Sequence, residues 1–160
     1  MKEIKEAQKQ WQIAKDEAQR QKEESLEFAY ARKLCECKMF TGEESLEDMI
    51  KLMFSARGAE FLTTFGFPNI ETFRKFKKYN PEQFGVFIDK GEITLTDNHR
   101  VFLVGDTSAT LNYSQTAANR LILMHGAKAT VIASGFSVVN IEKDKTSNVS
   151  LIIQDKAKVL

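Results

Sequence analysis

Residues 101–114, VFLVGDTSATLNYS, lie on residues 121–134, LILMHGAKATVIAS, at a constant offset of 20 and without a gap. Leu103/Leu123, Ala109/Ala129, Thr110/Thr130 and Ser114/Ser134 are identical; Val101/Leu121, Phe102/Ile122 and Leu111/Val131 keep their character. The tail, residues 151–160, LIIQDKAKVL, matches residues 123–132 through Leu, Lys, Ala and Val. A shorter echo at offset 8 sets Ala127, Ala129, Val131 and Ala133 against Gly135, Ser137, Val139 and Ile141. If alternate residues point one way, the inward set is small and stackable. Two architectures use such a set. A parallel β-solenoid lays the inward residues of each rung on those of the rung before. An antiparallel meander carries look-alike strands because all of them favour Ala, Val and Thr.

From Val101 to Ile141 the only charged residues are Asp106, Arg120 and Lys128. Such a stretch is expected to be buried, stacked on itself or covered by another chain. Upstream, GVFIDKGEITLTDN, residues 85–98, alternates in short pieces bounded by Gly and Asp-Asn, the pattern of strands and turns. A β region is therefore expected over residues 85–160.

The first 38 residues have a different chemistry. Seventeen are charged and five are Gln, with no Gly and no Pro, which predicts an extended charged helix. Its apolar positions Ile4, Ala7, Trp11, Ala14 and Ala18 follow the three-and-four spacing of a coiled-coil seam. A helix this polar is marginal alone, so self-association or docking is expected. Trp11, the only Trp, is a candidate anchor for a symmetry mate, a foreign protein or the chain's own core.

Residues 39–84 read as a small Phe-rich helical zone. Eleven of the twelve Phe fall between residues 28 and 102. Ser45 with Asp48 resembles a capping box, Gly58 is placed to end the helix that follows, and Asn69 is a cap candidate for a second helix. The whole is α+β: a long N-terminal helix, a helical zone and a C-terminal β region with solenoid-like or meander repeats.

Candidate chemistry is sparse. Neither phosphate-binding glycine motif nor a nucleophile elbow is present. His99 and His125 have no Cys/His cluster or His-x-x-x-His spacing beside them, so no metal or cofactor is expected. Asp106, His125 and Ser134 could form a hydrolytic set only if folding united them. Arg74, Lys75, Lys77 and Lys78 interleave with Phe73, Phe76 and Tyr79, a pattern that fits either nucleic acid or an amphipathic helix end. The net charge of +1 argues against a broad nucleic-acid surface. Cys35 and Cys37 lie two apart on a helix and point away from each other, which suits free thiols in a reducing compartment. The N-terminus has no apolar signal region and no run is long enough for a membrane span, so an intracellular (cytoplasmic) or virion-associated protein is expected.

The pattern HGAKATVIASGFSVVNI, residues 125–141, resembles the short A-x-V-x-A-x-G repeats of β-solenoid segments in bacterial, phage and mobile-element proteins of Bacteroidota type. The resemblance covers residues 100–160 and implies a structural or binding element. SQTAAN and EKDKTSN interrupt the spacing as insertions. Lys158, Val159 and Leu160 form the last strand without a polar cap, so another subunit or the helical zone is expected to cover it. The combined expectation is a non-enzymatic assembly or binding protein, homo-oligomeric, and trimeric by analogy with fibres. Ile4, Trp11, Ala18, Val159 and Leu160 would form its contacts. An adaptor or inhibitor docking through the N-terminal helix, or a nucleic-acid module using residues 73–79, are the alternatives.

Overall fold

A computed structural model describes residues 1–160, with helices up to residue 84 and strands from residue 86 onward. The strands are β1 (Val86–Ile88), β2 (Gly91–Thr96), β3 (Arg100–Val104), β4 (Thr107–Tyr113), β5 (Ala118–Met124), β6 (Lys128–Ala133), β7 (Val138–Lys143), β8 (Asn148–Ile153) and β9 (Lys158–Val159). Odd strands form one sheet in the order β1-β3-β5-β7-β9, and even strands form the other, β2-β4-β6-β8. Every pairing is parallel. The chain therefore winds as a two-sheet β-solenoid, one strand of each sheet per coil, and the meander is excluded.

The stacking register is the repeat read from sequence. Leu103 lies on Leu123, Ala109 on Ala129 and Thr110 on Thr130. The same offset of 20 continues through β5–β7, β6–β8 and β7–β9, whereas the first coil is shorter and pairs at 16. The tail match at offset 28 and the echo at offset 8 are not stacking registers, since Lys158 lies on Val138 and Tyr113 on Ala133. Those matches compare strands of opposite sheets, which look alike because both turn small residues inward.

Side-chain alternation assigns the faces. Val101, Leu103, Leu121 and Leu123 from one sheet meet Ala109, Leu111, Ala129, Val131 and Ala133 from the other in the solenoid interior. Bulky residues oppose small ones, which lets two nearby sheets interlock without voids. Thr94, Thr110, Thr130 and Ser150 form one register column on the opposite face of the even sheet. Strands β1, β3 and β5 of the odd sheet are covered on both sides. Their outward residues Val86, Ile88, Phe102, Val104, Ile122 and Met124 belong to a second core shared with the helices. Double burial explains why VFLV and LILM do not alternate in hydrophobicity. In β7 the outward positions become Asn140 and Glu142, which ends this apolar strip.

The helices are α1 (Lys2–Glu24), α2 (Phe28–Glu36), α3 (Leu46–Phe54), α4 (Ala56–Phe65) and α5 (Ile70–Lys75), followed by 3-10 turns at Phe76–Tyr79 and Pro81–Phe84. The charged zone is a hairpin rather than one helix: α1 ends at Glu24, and Leu26 takes a left-handed φ of 63° that reverses the chain. Lys15 Nζ reaches across to donate to the Cys35 and Cys37 carbonyls, closing the C-terminal end of α2. Two expected caps are present. Ser45 Oγ accepts from the Asp48 N–H, and Asn69 Oδ1 accepts from the Thr72 N–H. Gly58 does not end a helix. Ser55 breaks the chain between α3 and α4, and its Oγ accepts from the Gly58 N–H inside the first turn of α4. A Cβ at Gly58 would collide with the Leu52 carbonyl, so the glycine serves the tight α3–α4 elbow instead.

Candidate assembly surface

The seam of α1 is buried, but inside its own chain. Ile4, Ala7, Trp11, Ala14 and Ala18 are all at most 7% exposed. Trp11 meets Phe40 edge to face at 6.3 Å between ring centroids, with Lys15 Nζ 4.8 Å from the indole centroid. Ile4, Trp11 and Ala18, expected to make contacts between copies, are taken up by packing within their own chain. The Phe-rich zone presents more apolar surface than α3–α5 can cover among themselves, and the stripe of α1 is its lid.

A polar edge of α1 fixes that lid. Glu3 pairs with Lys78 at 2.8 Å and accepts from Tyr79 Oη at 3.1 Å. Glu6 pairs with Lys75 at 2.8 Å. Gln10 donates to Thr72 Oγ1 and accepts from the Asn69 N–H. Positions 3, 6 and 10 share one face of a helix, so α1 runs antiparallel to α5 along a ladder of bonds. The remaining cations of the basic segment, Arg74 and Lys77, pair with Asp89 at 2.8 and 3.8 Å, while Phe73 and Phe76 are buried. All four cations of residues 73–79 thus stitch the helices to one another and to the first coil.

The Lys78 ammonium, first among its partners, holds the Glu3 carboxyl down to about 2. Lys75 holds Glu6 below the ordinary carboxylate value. A carboxylate whose folded value lies under its unfolded 4.5 stabilises the fold at higher pH, and that contribution disappears as pH falls toward 2. Between pH 4.5 and about 2, α1 is therefore expected to loosen, and Trp11 emission should shift to the red. Emission that stays constant down to pH 2 would show that the ladder does not hold the lid.

Other candidate residues are dispersed. Asp106 and His125 lie at corners that follow odd strands, whereas Ser134 follows an even strand at the opposite edge of the solenoid. His125 is engaged through Nε2 with the Pro68 carbonyl at 2.7 Å, and Ser134 Oγ donates to the Tyr113 carbonyl. Nothing unites them as a hydrolytic set. His99 Nδ1 lies 2.7 Å from Asn119 Oδ1. No group of three or more His, Cys, Asp or Glu side chains is placed to hold a metal ion. Cys35 and Cys37 are free thiols. No helix is long and apolar enough to cross a membrane.

What the solenoid leaves uncovered is its far rung. Leu151 and Ile153 stack on Val131 and Ala133 at positions that face the interior in every earlier coil. Here they are 48% and 49% exposed, next to Ile152 at 48% and Leu160 at 69%. Val159, stacked on Val139, is half-buried. The outer edge of β8 has no neighbouring strand, so its N–H and C=O groups are open to pairing. The corners below this rung are firm. Burial alone would raise the Asp144 carboxyl, but donors from His125, Thr146 and Ser147 hold it below the usual carboxylate value. Asp155 accepts from the Gly135 N–H. Sequence reasoning named Val159 and Leu160 for this surface but missed Leu151 and Ile153, whose inward register appears only once β8 is placed on β6. No protein-family model matches the chain, and no significant match is found among curated proteins or solved structures.

Proposed function

We propose that this protein is a non-enzymatic assembly module of structural type, in which the far rung of a helix-capped β-solenoid docks on a second copy of the chain. The observation that carries this reading is the exposure of Leu151 and Ile153, which occupy interior register positions, beside a strand edge that pairs with no other strand of residues 1–160. Completing the burial of each side chain contributes on the order of 1 kcal/mol, and pairing the edge adds backbone hydrogen bonds. The rigid corners favour such docking, because little conformational freedom is lost on binding. The solenoid resemblance of residues 100–160 points to the same class of role, in bacterial, phage or mobile-element settings. The segment 73–79 lends no support to a nucleic-acid function, since its four cations are already paired.

Light scattering over a concentration series tests the proposal. The expected mass is a multiple of 18.2 kDa, a trimer giving three times that value. The double variant Leu151→Lys/Ile153→Lys is expected to shift the population to monomer while leaving the circular dichroism unchanged. A parent protein that stays monomeric at high concentration would overturn the reading.

A further inference from the structure

We propose that Arg100 and Arg120 hold the carboxylate of a small organic acid whose apolar body lies in the groove beside α3. The two arginines are in register on adjacent strands, Arg100 directly paired with Arg120. Alternation places both on the outward face that carries Phe102 and Ile122, with backbones about 4.8 Å apart. Like charges so close repel, yet neither has an acidic partner, unlike Lys51 and Lys90, which pair with Glu47 and Glu82 of the adjoining groove. Arg120 Nη1 is moreover buried without any hydrogen-bond partner. A buried charged donor left unsatisfied is costly, and an oxyanion shared by two guanidinium groups removes both the repulsion and the deficit. Asn140 continues the column on β7 with its Oδ1 also buried and unpartnered.

Arg100 lines a groove of about 440 Å³ between α3, the turn Pro81–Phe84 and the β2–β3 corner. Ile50, Phe54 and Phe84 supply apolar lining. Glu47 and Glu82 stand in the same groove, each already paired, with Lys51 and Lys90 respectively. Of the cations that line the groove, Lys51 is paired and Arg100 is not; Arg120 stands one strand further in, beside the groove rather than in its wall. A monocarboxylate on an apolar body suits this balance better than a phosphate dianion, which would sit beside two glutamates.

The test titrates the full chain with phenylacetate, with inorganic phosphate and with chloride at matched ionic strength. Thermal unfolding and the arginine Nε–Hε resonances are the readouts. Phenylacetate is expected to raise the Tm and to move the Arg100 and Arg120 resonances, with phosphate and chloride much weaker. Arg100→Met, at an exposed position, is expected to weaken the phenylacetate response by roughly tenfold. Arg120→Met is expected to raise the ligand-free Tm, because it replaces a half-buried guanidinium, one nitrogen of which is buried without a partner, with an apolar chain of similar length. Phosphate matching phenylacetate, a phenylacetate response no stronger than that to chloride, or an undiminished response in Arg100→Met would each overturn the proposal. It fails equally if Arg120→Met lowers the Tm and the parent ignores phenylacetate, since Arg120 would then be a structural residue only.

Discussion

Trp11→Ala is expected to cost about 3–5 kcal/mol of folding stability, the range for truncating a large buried aromatic. The indole is 4% exposed, abuts Phe40 and lies under the Lys15 ammonium. It also borders a small apolar cavity of about 30 Å³ lined by Met49, Met53, Leu62 and Phe67. Truncation enlarges that void, and the rigid α3–α4 elbow limits how far the walls can relax into it. Domains of this size are stable by roughly 5–15 kcal/mol, so the loss is a large share of the whole. The urea midpoint is the measurement, with Trp11→Phe as a milder control that keeps a ring. An unchanged midpoint for Trp11→Ala would return Trp11 to the role of an anchor for a partner.

Val131→Asp is expected to unravel the far end of the solenoid while the helical end stays folded. Val131 is fully buried in a column between Leu111 and Leu151. A fully buried carboxyl has its pKa raised by roughly 3–5 units, equivalent to about 4–7 kcal/mol against the charged form at neutral pH. In a stacked fold each coil contacts mainly its neighbours, so the penalty falls on β6 and the rungs above it. The strands β1, β3 and β5 keep a second attachment, through Ile88, Phe102 and Ile122, to the helical core. Amide exchange should therefore lose protection over residues 128–160 and retain it in α1, α3 and β3, with part of the protection restored at low pH. Uniform loss across the chain would show that cap and solenoid fold as one unit.

The coil length was legible in the sequence because residues stacked in register meet the same neighbours and so keep the same character. Ala109/Ala129 repeats an inward position where the opposite sheet is bulky, and Thr110/Thr130 an outward one. The helix caps at Ser45 and Asn69 were legible because they depend on bonds three residues away. The destination of α1 was not. A stripe at Ile4, Ala7, Trp11, Ala14 and Ala18 records which face of a helix is buried and says nothing of what buries it, so lid and coiled-coil seam share one pattern. The paired arginines were hidden for a related reason: they lie 20 residues apart, and only the strand register brings them together.

The constant 20-residue coil also bears on how such a chain can change length. Duplicating or deleting one complete coil between β5 and β8 returns every following residue to the side it occupied before. The apolar core shared with the helices lies on β1, β3 and β5, and α4 also reaches β7, so the helical end would register such a change through α4 alone as long as β5 is kept. A single-residue deletion within a strand has the opposite result, since it turns inward side chains outward from that point to the corner. Descendants of this chain are thus free to vary in reach by whole coils, while the helical end that closes one face stays the same.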